Sequence, residues 1–190
     1  MLKTTIIAIR YTLVTTVLVG ILYPLVVTGI AQMTMRDKAN GQLIEKDGHV
    51  IGSAILAQGF TGDGYFHPRP SAAGNGYDAT NSGGTNFGPT NKKLIDRING
   101  DVATYQKQNP GKDVPIDLVT TSASGLDPDI TPASALYQAP RVAAARHMSE
   151  DAVARLVQEH TQGRQLGILG EARVNVLELN LALDAASPSR

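Results

Sequence analysis

The distribution of apolar and charged positions divides the chain into an uncharged first segment and a mixed remainder. Residues 11–35 have the sequence YTLVTTVLVGILYPLVVTGIAQMTM, which contains no Asp, Glu, Lys, Arg or His. About 20 apolar residues, each rising about 1.5 Å along a helix, cross a hydrocarbon core of roughly 30 Å. We therefore expect an N-terminal segment at 1–10, a transmembrane helix at 11–34 and a polar domain at 35–190.

A cleaved signal peptide is the alternative to a permanent span. Gly29, Ile30 and Ala31 place small residues where a signal peptidase cuts. The apolar segment is, however, longer than the 7–15 residues typical of a secretory h-region, which favours a retained helix. Lysines and arginines occur on both sides of the segment, so the positive-inside rule favours a cytoplasmic N-terminus only slightly.

The span itself carries a repeat of small residues and a proline. Small side chains at every fourth position would let another helix approach closely, so we predict packing against partner helices rather than a lone anchor. Pro24 lacks a backbone donor and predicts a bend near the middle of the helix. The candidate packing positions are Thr12, Thr16, Gly20, Pro24 and Thr28.

Beyond residue 35 the pattern predicts a small mixed α/β domain. Asp47-Gly48 is a turn signal, and HVIGSAILA at 49–57 is typical of a buried strand. Apolar residues at three- and four-residue spacing predict a helix over 90–108, and alternation in VPIDLVTT predicts a strand over 114–121.

The C-terminal third shows clear helix start signals. Thr131 before Pro132 predicts a capped helix that Pro140 should interrupt, and Ser149 predicts a cap for a helix over 149–162. The segment 174–186 is ambiguous, because its leucines alternate as in a strand whereas Asn175 with Glu178 resembles a helix capping box. We favour a helix there.

One stretch, 65–91, is rich in turn-forming residues and has the sequence YFHPRPSAAGNGYDATNSGGTNFGPTN. A flexible tether is one interpretation of such a composition. Four aromatic side chains favour the other, an ordered loop region pinned to the core by Tyr65, Phe66, Tyr77 and Phe87. Arg69 lies between two prolines, which should hold it on a stiff extended segment.

Composition argues against several functional classes. Seventeen basic residues balance seventeen acidic ones, which disfavours a nucleic-acid binder, and there are no cysteines for thiolate chemistry. All seventeen acidic but only fifteen basic residues follow residue 35, giving that part a net charge of 15 − 17 = −2. The four histidines are scattered, no G-x-S-x-G elbow occurs, and Pro89 stands where a phosphate loop needs its lysine. Recognition is therefore favoured over catalysis.

Several long strings occur in an order that resembles one family. LYPLVVTGIAQ, YFHPRPSAA, SGGTNFGPTN, SASGLDPDITPASALYQAPRVAAAR and VNVLELNLALD together resemble KdpC, the C subunit of the bacterial high-affinity Kdp potassium-transporting ATPase. Position 68 and the stretch AAGNGYDAT depart from the family pattern. The resemblance covers nearly the whole chain.

The resemblance implies a single-pass subunit of the bacterial inner membrane with an extracytoplasmic α/β domain. Its neighbours would be the potassium-channel-like subunit, the P-type ATPase subunit and a small single-span subunit. It implies a role in assembling the complex and in raising the ATP affinity of the hydrolysing subunit. ATP and potassium would be handled by the complex, with no catalytic or metal residue in this chain. The alternatives are a membrane-tethered extracytoplasmic enzyme and a free-standing binding protein.

The resemblance also directs attention to two groups of residues. Ser122, Ser124 and Gly125 resemble a glycine- and serine-rich nucleotide-contact motif. Because every such segment would lie outside the cytoplasm, we expect any effect on ATP affinity to be transmitted by coupling. Candidate partner contacts lie in the 65–91 region, in a second patch at 122–132 (SASGLDPDITP), and at two positions beyond that patch. They are Tyr65, Phe66, Arg69, Asn81, Asn86, Asn91, Asp127, Gln138 and Arg141.

Overall fold

The computed structural model describes residues 1–186, which form a helical N-terminal unit, Met1–Ile44, and a second compact unit that begins at Glu45. The first unit is dominated by one continuous helix, Leu2–Thr34. This helix is long and apolar enough to cross a membrane, with a mean hydropathy of 2.2. It begins nine residues earlier than the apolar segment that predicts it.

The long helix changes pitch ahead of its proline. Helix α1, Leu2–Thr15, passes into a π-helical stretch, Thr16–Leu22, before helix α2, Tyr23–Thr34. Pro24 has no N–H for the carbonyl of Gly20, and wider π-helical turns relieve that mismatch. The structure therefore shows a local change of helix type ahead of Pro24, and the bend stays a prediction. A short helix α3, Arg36–Ala39, follows.

A two-stranded sheet comes next, formed by β1, Leu43–Lys46, and β2, His49–Ser53. Asp47 and Gly48 connect the strands with φ values of 53° and 76°. Two positive φ values in a two-residue connection match the twist of a hairpin, which is why Asp-Gly is favoured there. The predicted strand is confirmed at its start, but it ends at Ser53 rather than at residue 57.

The core of the second unit is formed by helices packed with a small antiparallel sheet of strand order β3–β5–β4. Its strands are short: β3 is Asp129–Ile130, β4 is Thr161–Gln162 and β5 is Arg173–Asn175. Ile130 and Thr161 both lie opposite Val174 in the register. The helices are α4, Lys92–Gln108; α5, Pro132–Arg146; α6, Glu150–Glu159; and α7, Val176–Ala186. The predicted mixed α/β class with one long apolar N-terminal helix is confirmed.

The caps predicted at Thr131 and Ser149 are present, and Asn91, which is not among the predicted caps, caps α4. The side chains of Asn91, Thr131 and Ser149 accept hydrogen bonds from backbone N–H groups at the starts of α4, α5 and α6. Asn175 Oδ1 likewise accepts from the Glu178 N–H at 3.1 Å, so 174–186 is a short strand followed by the favoured helix. Each cap satisfies a donor that the first helical turn leaves unpaired.

Two predictions from the sequence are wrong. The predicted strand over 114–121 contains instead a 3₁₀ turn, Ile116–Leu118, in which Ile116 is 73% exposed while Asp117 is buried. Asp117 is buried because its carboxylate accepts the backbone N–H of Thr131 at 2.8 Å and the hydroxyl of Ser134. The predicted break at Pro140 is also absent, since α5 continues through it as one helix.

Candidate interaction surface

The loop region, residues 65–91, has no helix or strand yet is fixed to the domain at many points. Its anchor is Phe66, whose side chain is fully buried in the core cluster with Val142, Val153 and Leu179. Burying such a side chain contributes about 1.5–3 kcal/mol. The prediction of an aromatic-pinned, ordered region rather than a tether is supported at this position.

Two buried side-chain amides hold the backbone on either side of Phe66. Asn180 Oδ1 accepts the Phe66 N–H at 2.8 Å, and Asn180 Nδ2 donates to the Phe66 carbonyl at 3.0 Å. Gln138 makes the same pair of bonds with His67, at 2.8 and 3.1 Å. Both amides are 1% exposed. Each one provides the donor and the acceptor that a neighbouring strand would otherwise provide to the buried backbone of this irregular segment. We call Asn180 and Gln138 the amide clamp.

Tyr65 is held beside the clamp by an arginine. The Arg146 guanidinium lies 4.6 Å from the centre of the Tyr65 ring, while its Nη2 lies 2.6 Å from Asp184 Oδ1. Arg146 Nε also donates to the Gly64 carbonyl at 2.6 Å. A desolvated cation over an aromatic face is worth about 2 kcal/mol. Tyr65 is thus a structural contact within the domain.

Arg141, on α5, also binds the backbone of this segment. Its guanidinium donates to the carbonyls of Asp63 and Tyr65, at 2.6 and 3.0 Å, and to Gln138 Oε1 at 2.9 Å. Burial lowers the pKa of Arg141, with the Asp63 carboxylate opposing that shift. The guanidinium of Arg141 is thus hydrogen-bonded to backbone carbonyls of its own domain. Arg141 also lines a pocket of ≈ 520 Å³ together with Asp63 and Pro140.

Arg69 and Asp127, two predicted partner contacts, bind each other. Arg69 Nη1 lies 2.8 Å from Asp127 Oδ2, and the same guanidinium donates to the carbonyls of Thr120 and Thr121 at 3.3 Å. The pair therefore ties the loop region to the segment ahead of α5. Its charges are largely neutralised within the domain.

A pocket of ≈ 260 Å³ opens beside this pair, and charged groups line it. Asp129 lies there 3.0 Å from Arg173 Nε. Burial raises the pKa of Asp129, with the Arg173 charge opposing and the Asp127 charge adding to the rise. Among residues 1–186, no group of three His, Cys, Asp or Glu side chains is arranged to hold a metal ion.

The residues that resemble a nucleotide-contact motif form a tight turn against the loop region. Ser122 Oγ accepts the Gly125 N–H at 2.9 Å, and Ser124 Oγ accepts the Leu126 N–H at 3.1 Å. Gly125 has a φ of +67°, and a Cβ there would lie 2.7 Å from both Ala73 N and Gly83 O. This close approach leaves no space for a phosphate between the glycine and the loop region.

Ser71 and Tyr77 organise the loop region from inside. Ser71 Oγ accepts the N–H groups of Ala73 and Tyr77 and donates to the Gly125 carbonyl at 2.6 Å. The Tyr77 hydroxyl donates to the Arg69 carbonyl at 2.8 Å, and burial raises the pKa of Tyr77 to about 12. Tyr77 is therefore the second aromatic pin that the sequence predicts.

The remaining predicted contacts differ in exposure. Asn81 and Asn86 are exposed, Asn91 is half-buried as the cap of α4, and Phe87 is 39% exposed. The prediction that Phe87 pins the core is therefore wrong. Phe66 and Gln138 are buried, so their side chains cannot meet a partner in this fold, and those two assignments are corrected as well. The exposed positions of the loop region are 74–76, 79–82 and 86–90.

The most important residues missed by the sequence reasoning are Asn180, Arg146 and Asp184. Asn180 lies between leucines in LELNLAL, where a polar residue on a buried helical face must find hydrogen-bond partners. That isolated amide was the sequence signal that could have identified Asn180 as a buried residue with backbone partners. Nothing in the local sequence links Arg146 to Asp184, which lie on α5 and α7.

Comparison with known proteins identifies the family. A family profile described as KdpC: K+-transporting ATPase, c chain, matches residues 5–185. The chain is 60% identical over 188 residues to a protein of Koribacter versatilis named potassium-transporting ATPase KdpC subunit, covering 99% of this chain and 97% of the relative. Proteins of the same name from Acidobacterium capsulatum and Mycobacterium tuberculosis are each 56% identical, each covering 93% of this chain and 95% of the relative. The chain therefore belongs to the KdpC family, as the resemblance implies.

Proposed function

We propose that this protein is an accessory, non-hydrolysing subunit of an ATP-driven potassium-uptake complex, which it assembles and stabilises through protein contacts. The observation that carries the proposal is the near-complete match to potassium-transporting ATPase KdpC subunits. The structure adds a helix long and apolar enough to cross a membrane and a domain with a fixed loop region. A fixed surface loses little entropy on binding, which suits assembly.

The proposed partners are a potassium-channel-like subunit, a P-type ATPase subunit and a small single-span subunit. Within the helix, the candidate packing positions remain Thr12, Thr16, Gly20, Pro24 and Thr28, all of them exposed within this chain. Within the loop region, the exposed Asn81 and Asn86 are the remaining candidates for contact with the channel-like subunit. The buried and internally bonded residues hold that surface in shape.

Assembly is tested by expressing the three partners with and without this chain and measuring the fraction that forms a single complex in mild detergent. We expect the channel-like and P-type subunits to associate stably only when this chain is present. Equal assembly without it would refute the proposal. Asn86→Ala provides a finer test, since it removes an exposed candidate contact without touching the amide clamp.

We further propose that the N-terminus is cytoplasmic and the domain extracytoplasmic. The absence of cysteine in the whole sequence makes labelling direct. A cysteine placed at exposed Ser82 should react with a membrane-impermeant maleimide in intact cells, whereas one placed at Thr4 should react only after lysis. The reverse pattern would contradict this orientation.

We propose that any effect on ATP affinity passes through the conformational equilibrium of the P-type subunit. A ligand or subunit shifts such an equilibrium only by binding one state better than the other. The turn at 122–125 supports this view, because its hydroxyls accept backbone N–H groups and its glycine packs against the loop region. A nucleotide crosslinked specifically to residues 122–127 in sealed membranes would overturn it.

A further inference from the structure

A hairpin between β4 and β5 presents three apolar side chains to solvent. Leu166, Ile168 and Leu169 are 88%, 76% and 54% exposed, and they lie within four consecutive positions. Single exposed apolar residues are ordinary on a protein surface, but a cluster at a protruding turn marks an interaction site. We call residues 165–169 the apolar tip.

The apolar tip has a defined shape. Gln165 and Leu169 exchange backbone hydrogen bonds at 2.8 and 2.9 Å, and Gly167 N–H donates to the Arg164 carbonyl at 3.1 Å. At the base, Arg164 Nη2 lies 2.8 and 2.7 Å from the two carboxylate oxygens of Glu171. A segment already held in one conformation loses little entropy when it docks.

The tip contains a feature that the isolated fold does not need. Leu166 has a φ of +53°, in the left-handed region where a residue with a Cβ is disfavoured relative to glycine. Its side chain gains almost nothing in return within this chain, because it is 88% exposed. A strained backbone that displays an apolar group outward is explained if that group is buried by something else.

Its size and surroundings indicate what covers the tip. Three side chains supply much less area than the roughly 800 Å² that one partner contributes to a stable independent interface. The tip therefore suits an anchor within a larger contact better than a self-sufficient dimer site. Interfacial membrane segments favour Trp, Tyr and unpaired Lys or Arg. The segment 163–171 has no aromatic residue, and its one cation is paired with Glu171.

We propose that the apolar tip inserts into an apolar cleft on another protein subunit of the same potassium-transporting complex. This inference rests on the proposed function, because it requires that such a complex forms. It assigns the exposed leucines and isoleucine a role as a docking anchor separate from the loop region.

The first test uses the assembled complex in its native membrane. A photoreactive benzophenone side chain is introduced at position 168, and the membranes are irradiated. A covalent adduct with another subunit of the complex supports the proposal. Adducts formed only with lipid, only with a second copy of this chain, or not at all overturn it, provided that the complex is present in the sample.

The second test measures how long this chain stays in the purified complex after dilution in detergent. Leu166→Ser combined with Ile168→Ser should shorten its retention about tenfold or more, since each buried apolar side chain contributes substantially to an interface. Ile116→Ser is the matched control, because Ile116 is 73% exposed but stands alone in a separate turn. It should leave retention unchanged.

Leu166→Gly separates docking from folding. Glycine accepts the φ of +53° without strain, so the unfolding midpoint of the chain should stay the same or rise. Retention in the complex should nevertheless fall, because the anchoring side chain is gone. Unchanged retention in both tip variants would refute the inference alone, whereas failure of the unaltered chain to join a complex would refute the proposed function.

Discussion

Asn180, one of the two residues of the amide clamp, holds the backbone of Phe66 at the start of the loop region. Replacing Asn180 with alanine removes both hydrogen bonds to Phe66 and leaves a buried N–H and a buried carbonyl without their partners. Each buried group left unsatisfied costs about 1–3 kcal/mol, so the loss of two partners should destabilise the domain by roughly 2–6 kcal/mol. For a domain of this size, 1 kcal/mol lowers the unfolding midpoint by about 2–4 °C.

The assay is thermal unfolding of the detergent-solubilised full chain, followed by circular dichroism. We expect Asn180→Ala to lower the midpoint by roughly 4–24 °C and to expose the loop region to limited proteolysis under native conditions. Asn81→Ala is the matched control from the loop region, since its amide is exposed and bonds only to Asp78 and Thr80. It should change stability by no more than about 0.5 kcal/mol.

The reasoning would be refuted if Asn180→Ala cost less than about 1 kcal/mol and left proteolysis of the loop region unchanged. That result would mean that Phe66 and its neighbours are not held by buried side-chain amides. The amide clamp would then not be what preorganises the loop region at Phe66.

Three further substitutions test other parts of the structure. Gly125→Ala should lower the free energy of unfolding by about 3 kcal/mol or more, because a Cβ there would lie 2.7 Å from Ala73 N. Gly111→Ala is the control: its φ is +80° but the space around it is open, so it should cost only about 1 kcal/mol. Chemical denaturation measures both values. Burial, aided by the Arg141 charge, lowers the pKa of His67, so the folded state binds a proton there less readily than the unfolded state. The free energy of unfolding should therefore fall as pH decreases below about 6.5. His67→Gln should reduce that pH dependence, measured by unfolding scans from about pH 7.5 to 5.5. Pro140→Ala should restore an N–H inside α5 and stabilise the chain by about 1–3 kcal/mol, and destabilisation would show that the proline is needed where it stands.

Local signals in the sequence predict the helix starts well. The predicted caps at Thr131, Ser149 and Asn175 all accept the backbone donors that open their helices. Capping is a contact between residues two or three positions apart, so it depends little on the rest of the fold. The long apolar helix is predictable for the same reason, because its signal is contained within the segment.

Predictions that depend on distant contacts fare worse. The apparent alternation over 114–121 gives way to a 3₁₀ turn because Asp117 is bonded to Thr131 and Ser134. Tertiary partners decide this case, and one sequence does not reveal them. The segment 174–186 is ambiguous for the same reason, and the capping box at Asn175 favours the helix that the structure contains.

The candidate site divides in the same way. The aromatic residues predict that the loop region is ordered, and Phe66 and Tyr77 are indeed anchored. Which residues face inward was harder to predict: Arg69 and Asp127 pair with each other, Gln138 is buried, and Phe87 is exposed. Charged and amide side chains can form hydrogen bonds equally well with a partner protein or with the backbone of their own domain. Only the fold shows which of the two they do.

The central claim is that this chain acts within a potassium-transporting complex without hydrolysing ATP itself. The most direct experiment is to purify this chain from detergent-solubilised membranes through an affinity tag. Potassium-stimulated ATP hydrolysis is then measured in the eluate. We predict that hydrolysis elutes with the chain and is lost when the P-type subunit carries an inactivating substitution. If the chain elutes alone, or if hydrolysis persists without a functional P-type subunit, the claim is contradicted.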